Sequence, residues 1–262
     1  NYARLFAPFF AAVPSQNADA FPADGPGSLF KKRPRREEFM RSFGFDGGIQ
    51  VVLDGIAATK GIQVETQVQV ASLRRDDAGY CVTASDGRQW QAPLAALATS
   101  IDEAGKLARA DFPDLAEAIS RIGMVAVDSI GVVLPRERCW MPDLAFLVPV
   151  DDIFHSAVSR DPFPDSTRRA FAFHFKPGLD RATRIRRMAE VLRVEEAELG
   201  DLVEQELVLP APALGHDRIV AAMERSLAGG RLAVVGSYFE GLAIEDCVER
   251  AFDEWARIAA ET

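Results

Sequence analysis

The stretch LAVVGSYFEGLAIEDCVERAFDEW, Leu232 to Trp255, decides how the chain is read. An apolar strand runs into a turn bracketed by Gly236 and Gly241 and straight on into a long helical pattern. Two glycines around Ser237, Tyr238, Phe239 and Glu240 let the backbone turn sharply. The first amides of the following helix then have no intrahelical acceptor, and they face whatever sits above the strand. Strand, glycine turn and helix in that order build a seat for an anion or a cofactor. The competing reading is a plain strand-turn-helix connection whose glycines serve geometry alone.

Working outward, 262 residues suffice for one large domain or two smaller ones, and 48% hydrophobic content is ample for a packed core. A formal charge of -9 argues against a protein that gains affinity by neutralising nucleic-acid phosphates. Cys81, Cys139 and Cys247 are far apart, odd in number and without metal-ligand spacing, so reduced thiols in a cytoplasmic protein are expected. No segment reaches the roughly 18 unbroken apolar residues of a membrane span. The opening NYARLFAPFFAAV is apolar but short, carries Pro8 and lacks the basic start and cleavage site of a signal peptide. The chain begins with Asn1 rather than Met, the mark expected of a piece of something longer.

Residues 2–13 read as helix, and the Pro, Gly, Asn and Asp content of the next fifteen reads as loop. The basic run KKRPRR, Lys31 to Arg36, suits a solvated face, with an anionic membrane surface or an acidic substrate as the functional alternatives. Gly47-Gly48 opens a helical pattern through Ile49, Val52, Leu53 and Ile56 that stops at Gly61. Val64, Thr66, Val68 and Val70 alternate with Glu65, Gln67, Gln69 and Ala71, the cleanest period-two strand signal in the chain. YCVTAS and RQWQAP, joined by Asp86-Gly87, add a hairpin and complete an antiparallel meander. Helices follow at 101–109 and 112–122, then strands at MVAVDSIGVVLP and LAFLVPV. RRAFAFHFKPG is a further strand ended by Pro177-Gly178, before helices at 180–192 and 194–199, the strand DLVEQELVLP and a helix from His216 to Leu227. Strands and helices interleave, giving a mixed α/β or α+β chain.

Three stretches resemble, in order, the protoporphyrinogen-oxidase-like branch of the flavin amine oxidase superfamily: SFGFDGGIQVVLDGIA, then IQVETQVQV and the meander behind it, then PALGHDRIV through the terminal turn and helix. The resemblance covers nearly the whole chain, more loosely between about Pro135 and Pro210. It implies FAD as cofactor and the later part of such a protein. A partial FAD/NAD(P)-binding-type domain with the meander would take residues 47–109 and 211–262, and a mixed-sheet substrate-type domain residues 1–46 and 110–210. In the family a valine lies against the adenine, and Val70 is its match. The terminal turn feeds a helix under the flavin ring, which implies Gly236, Ser237, Tyr238, Gly241 and the backbone amides of Leu242, Ala243 and Ile244 as cofactor-binding positions. Reduction makes the flavin's N1 and C2 carbonyl electron-rich, and a helix N-terminus stabilises that charge.

The sequence departs from the family in two places. Ser237 stands where the turn usually has Asn, and no Gly-x-Gly-x-x-Gly follows a strand near the start. The part that holds pyrophosphate and ribose is therefore expected on a missing N-terminal half or on a partner subunit, and the isolated chain is expected to hold FAD weakly or not at all. His155, His174 and His216 show no metal-ligand spacing, so no metal and no catalytic side chain is assigned. His174, between phenylalanines, reads as structural, and His216 as a helix start or surface group. Seventeen Phe against three Tyr suit apolar walls for a planar substrate such as a porphyrinogen, although most must fill the core. The reading is an FAD-dependent oxidoreductase, or its C-terminal fragment, that dehydrogenates a small apolar porphyrinogen or amine and reduces oxygen or a quinone. The alternatives are a non-catalytic family remnant serving binding or assembly and an interaction domain unrelated to flavin.

Overall fold

The computed structural model describes residues 1–28, 44–161 and 165–260. Its regular elements, in chain order, are α1 (Ala7–Ala12), α2 (Gln50–Ala57), β1 (Val70–Asp76), β2 (Gly79–Ala84), β3 (Gln89–Ala92), β4 (Ala95–Leu97), α3 (Ile101–Ala108), α4 (Pro113–Ser120), β5 (Met124–Pro135), β6 (Phe146–Leu147), β7 (Phe154–Ser159), β8 (Arg168–Phe175), α5 (Arg181–Leu192), β9 (Leu202–Pro210), α6 (His216–Leu227), β10 (Leu232–Val234) and α7 (Ile244–Ala260). Two compact units divide them. The first takes Asn1–Leu29, Arg121–Ala221 and Gly236–Arg250; the second takes Phe30–Ser120, Ala222–Val235 and Ala251–Thr262. KKRPRR lies outside the described residues.

In the first unit, five strands pair antiparallel in the order β6-β7-β8-β5-β9. Period-two alternation in β8 puts Phe171, Phe173 and Phe175 on one face and Ala170, Ala172 and His174 on the other. The phenylalanine face is the core. Ile130, Val132 and Leu134 of β5 and Phe154 of β7 join it, and α5 covers it with Ile185, Met188, Ala189 and Leu192. Asp180 fixes the start of α5 by accepting the Thr183 amide, and Arg193 ends the helix in the left-handed region.

In the second unit, β1, β2 and β3 form the expected meander. Gly87 makes the hairpin with φ +90, and the Asp86 carboxylate accepts the Arg88 amide. Helices α3 and α4 bury Ala104, Leu107, Ala108, Leu115, Ala118 and Ile119. β4 and β10 form a separate two-stranded parallel sheet, in register from Leu232 opposite Ala95 to Val234 opposite Leu97.

One strand expectation fails. The regular strand begins at Val70, and residues 64–69 are in no strand despite their alternation. A pleated segment needs a ladder partner, and here the backbone turns through φ +58 at Gln67 while Val64 stays 56% exposed. The segment follows the meander through side chains instead: Glu65 accepts from Arg88 at 2.9 Å and from the Trp90 indole at 3.2 Å. No helix among the described residues is long and apolar enough to cross a membrane.

Candidate functional site

The turn singled out by its glycines lies in the first unit, and its own side chains fill it. Tyr238 and Phe239 are 2% and 0% exposed, with ring centroids 5.2 Å apart. Burial pushes the Tyr238 hydroxyl pKa up to about 12, so it remains protonated. A Cβ on Gly236 would lie 2.3 Å from the Tyr238 ring, which is why that position has none. The Arg250 guanidinium sits 3.9 Å from the centroid of the Phe239 ring, and the Gly27 amide donates to the Glu240 carbonyl at 2.8 Å.

Beyond Gly241 the helix begins. Asp246, the third residue of α7, is 2% exposed, and its Oδ2 accepts the Ala243 amide at 3.1 Å. That is half of a capping box, with the acid reaching back to the residue before the helix. It also occupies the space beside Gly241, where a Cβ would come within 2.4 Å of Oδ2. Of the three amides the sequence singles out, Ala243 is therefore held by the protein, while those of Leu242 and Ile244 meet no acceptor among the described residues. Two unpartnered N–H groups at the N-terminus of a 17-residue helix fit an anionic or electron-rich group such as the edge of a flavin ring. Ser237 is half-buried. Val70 opens β1 opposite Ala84 in the second unit, 36% exposed.

His216 begins α6 as expected, but it is buried at 2% rather than on the surface. Its ring carbon lies 3.3 Å from where a Gly27 Cβ would be, so the backbone at Gly27 lies close against it. Burial holds its pKa below the ordinary imidazole value. His174, on the face of the antiparallel sheet away from the phenylalanines, places Nδ1 2.8 Å from Ser129 Oγ across the β5–β8 pair. Its pKa and that of His155 are also lowered, chiefly by burial. His155 lines a cavity of about 360 Å³ in the first unit with Gln16, Asn17, Asp151, Asp152 and Lys176. This hollow, which Ala7, Pro8, Ala11, Val150 and Phe154 also line, carries no sequence motif. Among the described residues no group of His, Cys, Asp or Glu is placed to hold a metal ion.

A glycine-bracketed turn feeding a long helix, a three-stranded meander and a separate antiparallel sheet make up a mixed α/β fold that solved oxidase structures share. The chain belongs to the flavin containing amine oxidoreductase family, whose model matches residues 3–168. It is similar to a provisionally assigned protoporphyrinogen oxidase from Exiguobacterium sp. 255-15 at TM-score 0.69 and 12% identity, over 82% of this chain and 51% of that one. A redesigned variant of putrescine oxidase matches at TM-score 0.64 and 15% identity, over 82% and 53%. Cyclohexylamine oxidase from Brevibacterium oxydans IH-35A matches at TM-score 0.54 and 13% identity, over 73% and 47%. At such identities the likeness concerns the fold. The chain spans about half the length of these structures.

Proposed function

We propose that the chain is the later half of an FAD-dependent oxidoreductase of the protoporphyrinogen-oxidase-like branch. It dehydrogenates a small apolar substrate, a porphyrinogen or an amine, and passes the electrons to oxygen or a quinone. The observation that carries this reading is the pair of unpartnered amides of Leu242 and Ile244 at the head of α7, in a chain of the flavin containing amine oxidoreductase family. Bound FAD would accept hydride from the substrate. The chain's own part is electrostatic: the α7 N-terminus stabilises charge on the reduced ring, and the Gly236–Gly241 backbone fixes where that terminus stands. By the family resemblance, Val70 would be the residue that meets the adenine. The named activities of the similar oxidases support the two substrate classes and do not choose between them. The pyrophosphate and ribose belong to a Gly-rich half outside these 262 residues.

A second reading, a family member that has lost the cofactor and serves as a binding or assembly module, draws support from Asp246, which takes the Ala243 amide and places a carboxylate beside Gly241. Visible absorption of the purified chain, alone and with the Gly-rich half, separates the two. FAD identified in the chromophore released from the complex is the expected result. A complex that stays colourless with added FAD overturns the oxidoreductase reading, and turnover of protoporphyrinogen or of a primary amine then assigns the substrate of a coloured one.

A further inference from the structure

Three consecutive carbonyls fix the turn that leads into α7. That of Glu240 accepts the Gly27 amide at 2.8 Å, and those of Tyr238 and Phe239 face the His216 imidazole. The Ala243 amide follows on Asp246 Oδ2. Between these anchors lies the amide of Leu242, and just past them that of Ile244, the two donors of the flavin seat. The backbone that aims them is thus held by the loop at Gly27, by α7 itself and by the first residue of α6.

His216 is an unexpected residue for that post. It is 2% exposed, packed where a Cβ on Gly27 would lie 3.3 Å from its ring and 2.5 Å from the Pro212 Cβ, and its Nε2 makes no hydrogen bond among the described residues. A buried nitrogen without a partner is destabilising, and an apolar side chain would pack here without one. A neutral imidazole has one N–H donor and one acceptor, so of two carbonyls it satisfies one. A second proton makes both nitrogens donors, but it charges a ring that water does not reach. The charged groups facing the ring are the carboxylates of Asp217 on α6 and Glu240 on the turn, while Gly27 and Pro212, packed against it, carry none. Both carboxylates favour the proton, and burial outweighs them.

We infer that His216 is a positioning residue of the flavin seat, a proton-sensitive clamp on the Tyr238 and Phe239 backbone that sets the direction of the Leu242 and Ile244 amides. Its role in binding rests on the flavoprotein reading, whereas the clamp itself is built from this chain alone. With the ring neutral, the clamp is closed. When the turn lifts, water reaches the ring, which then binds a proton at about the ordinary imidazole value of 6.5. The closed ring refuses that proton, so acid favours the lifted turn.

Hydrogen exchange of the Gly27 and Ala243 amides in the full chain tests the clamp without any cofactor, because both amides are bonded only while the turn is seated. Corrected for the intrinsic effect of pH on exchange, opening should become more frequent below about pH 6.5, by at most about tenfold per pH unit. His216→Asn keeps a donor for one carbonyl and takes up no proton. It should hold both amides at pH 7.5 and remove the acid dependence, which His174→Asn, at another histidine of the same unit, should leave in place. His216→Phe fills the space without a donor and should open both amides about tenfold more often at pH 7.5. Exchange that ignores pH, that keeps its acid dependence in His216→Asn, or that is as slow in His216→Phe as in the wild type overturns the clamp. In the chain joined to its Gly-rich half, FAD should leave faster in acid from the wild type and not from His216→Asn. FAD release that ignores this substitution while the two amides respond overturns the role at the seat. A joined protein that never holds FAD overturns the flavin reading and leaves the exchange result standing.

Discussion

The antiparallel sheet of the first unit and helix α2 of the second both carry rows of apolar residues, yet those of the sheet are covered and those of the helix are not. In the first, β8 alternates so that three phenylalanines meet α5, and Phe173 and Phe175 are 0% exposed. In the second, β10 buries Leu232, Ala233 and Val234, but α2 buries nothing. The difference teaches that apolar residues find cover only where the chain supplies the opposing layer.

The largest expected effect sharpens that contrast. Phe173 sits edge to face with Phe154 at 5.4 Å and stacks with Phe175 at 6.0 Å. Phe173→Ala is expected to cost about 3–5 kcal/mol, through lost burial and the cavity left behind. Phe252→Ala, a change of the same chemistry at a position 70% exposed, should stay within about 0.5 kcal/mol in the isolated chain. Urea unfolding of the two variants checks both, and equal losses would break the contrast.

Next comes the ion pair that fixes α7. Arg257→Met takes the guanidinium away from buried Glu254 and strips the donor from the carbonyls of Leu227, Gly230 and Leu232. A loss of about 3 kcal/mol is expected in the same unfolding measurement. A loss near zero would mean that these bonds do not set the helix orientation.

Much of this architecture was legible in the sequence. The meander could be read because Asp86-Gly87 is a turn that names itself, and β8 because His174 and the alanines alternate with phenylalanines over the six residues Ala170 to Phe175. The strand at Val64 misled because alternation reports a capacity to pair, and among the described residues no strand pairs with it. β7 was missed because a bulge between Phe154 and Ser156 breaks its period, and β4 because three residues carry no period at all. At the candidate site the glycines were visible, but their packing was not. Sequence spacing could not show that Asp246 folds back over Gly241 or that Tyr238 turns inward.

Acid should act on the histidines. All three have pKa values lowered mainly by burial, so below about pH 6.5 the unfolded chain binds protons that the folded chain refuses. Stability is full above that pH and falls as pH drops through it, until the folded pKa values are reached. For His216, 2% exposed, the slope is at most about 1.4 kcal/mol per pH unit. Melting temperature measured from pH 7.5 to 5.5 should fall, and His216→Asn should flatten the fall. A profile unchanged by that substitution would place the titration elsewhere.

Asp246 allows a finer cut. Gly241→Val does not isolate the flavin seat, because its side chain meets the Asp246 carboxylate first. Asp246→Ala removes that carboxylate, frees the Ala243 amide and should cost about 1 kcal/mol of stability. If α7 receives the flavin, affinity for FAD in the completed protein should rise, since a third donor becomes available and a negative charge leaves. Titration of FAD into wild-type and variant complexes decides the sign, and weaker binding would mean that Asp246 supports the seat rather than competing for it.

The smallest effect returns to the uncovered side. Leu53, 57% exposed on α2, touches no core, so Leu53→Lys in the isolated chain removes little apolar burial and adds a charge that water solvates. Its stability should move by no more than about 0.5 kcal/mol in either direction. The same silence at Phe173 is impossible, since there the opposing layer is α5 of this very chain. Should Leu53→Lys cost several times that amount, α2 would be packed in solution, and the unit would carry its own cover.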